Sequence, residues 1–150
     1  MTLDKQETLF NARNIALVLV LIGLVISGYL SYVKLLNVPI ICLEDQIFSC
    51  DVVQSSKWSR LGGVPIAYLG FGSYSLIGMV LLLENRIPIL KDNGRLIVFV
   101  LGLIGWLFSI WLVYIQAFII LAFCQWCLAH EFIFTLLFGV IIYRVWQDLK

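Results

Sequence analysis

The sequence predicts an all-α integral membrane protein: a four-transmembrane-helix bundle with a long extracytoplasmic loop containing a short interfacial helix. Three observations predict this. Of the 150 residues, 62% are hydrophobic and 13% are charged, with a mean hydropathy of +1.02. A water-soluble domain carries roughly 25% charged residues, so this chain has too little polar surface to coat a globule, and lipid must solvate most of it. The apolar residues also gather in runs close to the ~20 residues that a helix needs to cross a bilayer. Finally, one connection, residues 37–65, is long and polar and holds two of the four cysteines.

The elements follow in order. Residues 1–14 are polar and mixed, with Asp4, Lys5, Glu7, Asn11, Arg13 and Asn14. An apolar run then extends from Ile15 to about Leu36, interrupted only by small or amphipathic residues and by Lys34. This is a span rather than a cleaved signal peptide, because the apolar core is too long, the preceding segment carries acids and no small-x-small site follows.

Residues 37–65 form the expected catalytic loop. A connection of this length is either functional or disordered, and Ile40, Ile41, Ile47, Phe48, Val52, Val53, Trp58 and Leu61 argue against disorder. Asp51 followed by Gln54 resembles an N-cap with its reciprocal partner. This predicts a short interfacial helix over about 51–60, with Val52, Val53 and Ser56 on one face. Gly62-Gly63 ends it, and Pro65 suits the first turn of the next helix.

The second span is expected over 66–83, followed by a short polar connection over 84–95. From Leu96 to Tyr143 the chain is apolar for about two crossings. This predicts spans over 96–116 and 122–143, joined by a tight turn around 116–124, with a polar tail after them. The whole chain, 1–150, is expected to be one domain.

Four spans place both termini on one side. That side holds Lys5, Arg13, Arg86, Lys91, Arg95, Arg144 and Lys150, whereas the other holds Lys34, Lys57 and Arg60. The bias predicts a multi-pass protein of the cell membrane with cytoplasmic termini. All four cysteines, Cys42, Cys50, Cys124 and Cys127, then fall on the extracytoplasmic face. Thiol chemistry in an oxidising compartment follows from that placement. The net charge of +1 and the scattered basic residues give no nucleic-acid interface.

Cys124-Gln125-Trp126-Cys127 has the spacing of a dithiol that cycles with its disulfide more readily than a structural bridge does. Alone, it is also compatible with two cysteines packed as small apolar residues. Cys42 and Cys50 can bridge across the seven intervening residues, as a structural clamp or as a labile bond that exchanges with a thiolate. Three alternatives therefore stand: a redox relay, a structural membrane protein with inert disulfides, and a cysteine-metal-binding membrane protein. His130 and Glu131 lie at i+3 and i+4 from Cys127, and on a helix they share its face. Ionisable residues at membrane depth are functional candidates, here for tuning the Cys127 thiolate or supplying a proton. Trp58 fits an interfacial anchor. The acceptor for a dithiol at the rim of an apolar bundle must live in lipid, and a quinone does; no haem or iron–sulfur ligation pattern is present.

The order of these motifs resembles the vitamin K epoxide reductase family, in particular its bacterial members. The resemblance rests on Cys42, then Cys50-Asp51-x-Val53, Ser56, Trp58, Gly63-x-Pro65-Ile66-Ala67-x-x-Gly70 and a Cys-x-x-Cys on the last helix. It implies a four-helix bundle around a quinone (menaquinone or ubiquinone, or a vitamin K-type naphthoquinone), capped by the loop. It further implies that Cys127 sits next to the quinone, that Cys124 exchanges with Cys50, and that Cys42 exchanges with a partner. Ser56 would hold the loop helix or the quinone head. The implied partner is a thioredoxin-fold protein of DsbA type, separate from this chain, which introduces disulfides into exported proteins. Two positions depart from the vertebrate pattern. Glu131 stands where a tyrosine is found, and Ile66 or Ala67 stands where an asparagine contacts the quinone.

Overall fold

The computed structural model describes residues 2–43 and 45–150, so Glu44 of the loop lies outside the described residues. Helix α1 covers Thr2–Leu36. A short α2, Cys50–Ser55, is followed by a single 3₁₀ turn at Lys57–Ser59. Strands β1, Arg60–Leu61, and β2, Val64–Pro65, form a small antiparallel ribbon. Helices α3, Ile66–Leu83, α4, Pro88–Ile115, and α5, Gln125–Leu149, complete the chain. A π-helical turn over Gln116–Ile120 extends α4. The four long helices are each apolar enough to cross a bilayer, with mean hydropathies of 2.3, 1.8, 2.6 and 1.8. The protein is therefore a multi-pass membrane protein built as a four-helix bundle.

The helices outrun the predicted spans for a simple reason: hydropathy marks where lipid begins, whereas helical hydrogen bonding continues into water. Helix α1 begins at Thr2 instead of Ile15, with Asp4 in its first turn, where a carboxylate opposes the helix dipole favourably. It stops at Asn37, which takes the left-handed conformation (φ 51°) suited to a C-terminal cap. Helix α4 starts at Pro88, a residue pre-set for the first turn, so Lys91 and Arg95 are helical rather than loop. Helix α5 starts at Gln125, later than the predicted 122, because Phe123 is drawn into pairing with the loop and Ala122 packs in the buried cluster beside it.

The loop helix also differs from expectation. It spans Cys50–Ser55 rather than 51–60, and its N-cap is Ser49, with no side-chain cap bond. Asp51 is a first-turn residue, and Gln54 does not reach back to the helix start. Val53 is buried but Val52 is half exposed, so the two do not share a face. Ser56 is extended (ψ 154°) and ends the helix. Gly62 and Gly63, at φ 59° and 87°, form the two-residue turn of the ribbon, which needs positive φ at both positions. Pro65 precedes α3 as its N-cap rather than entering its first turn.

Helix α1 packs on α3 and α5, and α4 packs on α5 and α3. Lipid tails are as apolar as leucine, so association rests on close packing against small residues. Gly23 receives the Tyr74 ring, Gly105 the Phe134 ring, and Gly102 Phe138. The core runs through Ala16, Val20, Tyr74, Ile77, Leu81, Val98, Phe134, Leu137 and Ile141. Outward-facing Val18, Val25, Leu82, Ile104 and Phe132 are exposed on the bundle surface, as a lipid solvent requires. At the end that carries the termini, Arg144 donates to Glu84 at 2.6 Å, and Arg13 lies 4.0 Å from the same carboxylate.

Candidate active site

At the loop end of the bundle, residues far apart in sequence are brought together by a single backbone pairing. Phe48 and Phe123 form a parallel bridge. The Ser49 N–H donates to the Phe123 carbonyl at 3.0 Å, and the Phe123 N–H donates to the Ile47 carbonyl at 3.0 Å. The next residues along each strand, Cys50 and Cys124, are both fully buried and share one apolar cluster with Val53 and Ala122. Cys42, Trp126 and Cys127 pack against that cluster. Cys42 and Cys50 are joined as a disulfide, and Cys124 and Cys127 are free thiols. In this state Cys42 and Cys50 offer no thiolate to a metal.

The loop around Cys42 is held by two aromatic residues. The Ile41 N–H donates to the Tyr29 hydroxyl at 3.0 Å, and the Trp126 indole N–H donates to the Ile41 carbonyl at 2.6 Å. The two rings lie 4.8 Å apart. The Trp126 of the Cys-x-x-Cys motif thus ties that motif to the loop disulfide. Lys34 reaches up from α1 to the Gln54 carbonyl.

Cys124 is the N-cap of α5, and its sulfur accepts from the Cys127 N–H at 3.4 Å. Hydrogen bonding from the Cys127 thiol lowers the Cys124 pKa from its ordinary 9.0 to about 7. Burial opposes the shift; the backbone N–H groups of Cys127 and Trp126 and the Gln54 amide assist it. A thiol near neutrality supplies thiolate, the form that attacks disulfides. The Cys124 N–H in turn donates to Gln116 Oε1 at 3.1 Å in a buried setting.

Beneath the loop helix lies a cavity of about 120 Å³. Its walls come from α1, α2, α3, α4 and α5, and most of its lining is apolar. Cys127 faces it, as do Ser56, Ile66, Ala67 and Glu131. Cys124 and Cys50 do not line it. The two cysteines of the motif therefore face different neighbours: Cys124 the loop disulfide, Cys127 the cavity. Trp58 also lines the cavity, with its ring 6.0 Å from that of Trp111. His130 and Glu131 both line the wall below Cys127 and approach each other at 3.4 Å, Nδ1 to Oε1. His130 sits against Gly70, where an added Cβ would lie 2.9 Å from Nε2.

Two site residues were missed from sequence. The Gln54 amide approaches the Cys127 sulfur at 3.7 Å, where sequence reasoning had assigned it to capping its own helix. Gln116 carried a signal, being an amide inside an apolar run, but nothing local said what it faced.

The mostly apolar lining with a few convergent polar groups suits a flat, apolar ring, the kind of group that the sequence resemblance implies. Cys127, Ile66, Ala67 and Gln116 are among the residues that would surround such a ring. Residues 14–142 match the sequence model of one protein family, described as the Vitamin K epoxide reductase family.

Proposed function

The chain belongs to the vitamin K epoxide reductase family, and from that premise we propose that it is a membrane thiol–quinone oxidoreductase supporting disulfide formation in exported proteins. Electrons enter from a thioredoxin-fold partner of DsbA type, pass through Cys42/Cys50 and Cys124/Cys127, and leave to a menaquinone or ubiquinone. The observation that carries this reading is the division of labour among the sulfurs: Cys50 and Cys124 share one buried cluster, while Cys127 alone of the four lines the cavity.

The relay runs by thiol–disulfide exchange. A partner thiolate attacks Cys42, the less buried sulfur of the loop disulfide, and releases Cys50. The partner's second thiol then attacks the mixed disulfide, leaving the partner oxidised and Cys42/Cys50 reduced. Cys50 attacks Cys124 of an oxidised Cys124–Cys127 pair, displacing Cys127. Cys42 resolves the Cys50–Cys124 bond, which restores the loop disulfide and leaves Cys124 and Cys127 as thiols. This last arrangement corresponds to the state described above. Closing Cys124 onto Cys127 then releases two electrons and two protons at the cavity wall. A quinone, when bound, supplies a lipid-soluble acceptor for both. Glu131 and His130, adjacent on that wall, hold and move protons there, and Ser56 with Ile66 and Ala67 shapes the space around the ring.

The basic residues support the orientation. Arg13, Arg86, Lys91, Arg95, Arg144 and Lys150 belong to the termini end, and Lys57 and Arg60 to the loop end. By the positive-inside rule the termini are cytoplasmic and the sulfurs extracytoplasmic.

The test is disulfide mapping of the purified protein, trapped with and without menadione, alongside quinone absorbance during turnover with a reduced DsbA-type protein. Connectivity that shifts between states, with menadione consumed in step with thiols, is expected. Two bridges that resist dilute dithiothreitol, and no change in menadione, would instead assign inert structural disulfides.

A further inference from the structure

We propose that Gln116 donates the hydrogen bond that holds a quinone carbonyl in the cavity, using the same amide that fixes Cys124. The proposal rests on the thiol–quinone reading above. It starts from one forced assignment. The Cys124 backbone N–H can only donate, and it meets the Gln116 side chain at 3.1 Å, so the amide must present its oxygen there. Its NH₂ group, with two donors, is then left on the other edge. Gln116 is 4% exposed and lines the cavity, and among the described residues nothing accepts from that NH₂. That NH₂ is not among the fully enclosed unpartnered atoms of the described residues, so it opens onto free space, and the cavity that Gln116 lines is where an acceptor can stand.

Several other donors on the wall are committed, while Trp58, Ser59, Ser109 and His130 also line it and are the rival donors. Ser27, Ser56 and Ser73 each give their single hydroxyl proton to a carbonyl of their own segment, at 2.7, 2.8 and 2.8 Å. The Gln54 amide faces the Cys127 sulfur. Ile66 and Ala67, on α3, have no side-chain donor. Ser109, seven residues before Gln116 on the same face of α4, is buried and lines the cavity, which makes it the comparison position.

The position has a chemical consequence. An amide N–H held in place before electrons arrive stabilises negative charge developing on a carbonyl oxygen without reorganising. Because Gln116 Oε1 anchors the Cys124 backbone, the quinone contact and the placement of the attacking dithiol are set by one side chain.

The test uses the full chain in nanodiscs with ¹³C-carbonyl-labelled menadione, read by infrared spectroscopy. In the unmodified protein, one carbonyl band is expected at lower frequency than that of free menadione. Gln116→Met, close in length, and Gln116→Leu should both abolish that shift. Menadione affinity should fall about tenfold, as for one lost hydrogen bond. Ser109→Ala should retain the shift. Disulfide mapping of each variant, set against the unmodified protein, reports whether the loop and the last helix still meet. A shifted band that persists in both Gln116 variants overturns the proposal, and so does a shift lost only in Ser109→Ala. Menadione bound without any shifted band overturns it too, while leaving the thiol–quinone reading intact. An unmodified protein that neither binds nor reduces menadione sinks that reading itself.

Discussion

Phe48 and Phe123 pair as one parallel backbone bridge, and this contact brings the loop disulfide to the last helix. The bridge carries two N–H···O bonds of 3.0 Å, and the cysteines just beyond it, Cys50 and Cys124, fall into one buried cluster. A loop that must exchange a disulfide with a helix needs a fixed register at the crossing. Two backbone hydrogen bonds supply it without occupying the side chains that do the chemistry.

The first prediction follows from that register. In Cys127→Ala, the remaining Cys124 thiolate has no neighbouring thiol on its own helix to resolve it. It should attack Cys50, displace Cys42 and accumulate a Cys50–Cys124 disulfide with Cys42 free, detectable by peptide mapping under non-reducing conditions. Quinone reduction should be lost in this variant. Cys42→Ala should block partner oxidation instead. A Cys127→Ala protein that retains only the Cys42–Cys50 bond would argue against the proposed order of exchange.

The second concerns pH. The Cys124 pKa is lowered to about 7, so its thiolate is populated above neutrality and protonated below it. Exchange with the loop disulfide should slow about tenfold per unit as pH falls well below 7, since only the thiolate attacks. The largest cause of the shift is the hydrogen bond from the Cys127 thiol, so with Cys42 and Cys50 both replaced by alanine to keep Cys124 free, adding Cys127→Ala should move the midpoint upward, towards 9. Thiolate absorbance near the ultraviolet edge, taken as the difference from Cys124→Ser, measures both midpoints. Equal midpoints in the two proteins would remove Cys127 as the cause.

The third contrasts two glycines. An added Cβ at Gly23 would lie 2.2 Å from the Tyr74 ring, and Tyr74 is fully buried and cannot swing away. Gly23→Ala should force α1 from α3 and cost about 1–3 kcal/mol, the usual range for overpacking. At Gly139 nothing lies within 4 Å, so Gly139→Ala should be neutral or stabilising by up to about 1 kcal/mol through helix propensity. Thermal unfolding in one detergent, followed by circular dichroism, ranks the two. The reverse order would contradict the packing described.

The fourth concerns the ion pair at the termini end. Arg144 and Glu84 meet at 2.6 Å and both are buried. Glu84→Leu alone should cost about 3–5 kcal/mol by leaving Arg144 without its carboxylate in a dry setting, and Arg144→Met should cost less, because Arg13 remains 4.0 Å from Glu84. Arg13 Nε, Glu84 Oε2 and Arg144 Nε have no partner among the described residues, so the cluster is incompletely satisfied. The double variant Glu84→Leu/Arg144→Met should therefore be more stable than Glu84→Leu alone. Additive losses in the same unfolding assay would show that the two side chains act independently.

Much of the fold was legible because lipid is a demanding solvent. Segments such as 66–83 have to be apolar throughout and helical, since no water satisfies their backbone groups. The ends were less legible, because Thr2–Asn14 and Arg144–Leu149 are helical in polar sequence that hydropathy ignores. The capping pattern Asp51…Gln54 misled, because the Gln54 amide has a tertiary use at Cys127. Gln116 was visible as an oddity but not as a contact.

Four membrane crossings, a long loop with Cys42 and Cys50, and a second cysteine pair at the start of the last helix are all visible in the unfolded string of residues. These are properties of composition and spacing, which local physics reads directly. The resemblance implied that Cys124 turns to Cys50 and Cys127 to the quinone side, but the packing that sets them so, and the places of Gln54 and Gln116 beside them, come from the folded chain. The reason is distance along the chain: Gln54 and Cys127 are 73 residues apart. No local pattern encodes such a meeting, which exists only once the Phe48–Phe123 bridge and the packed helices have closed the chain on itself.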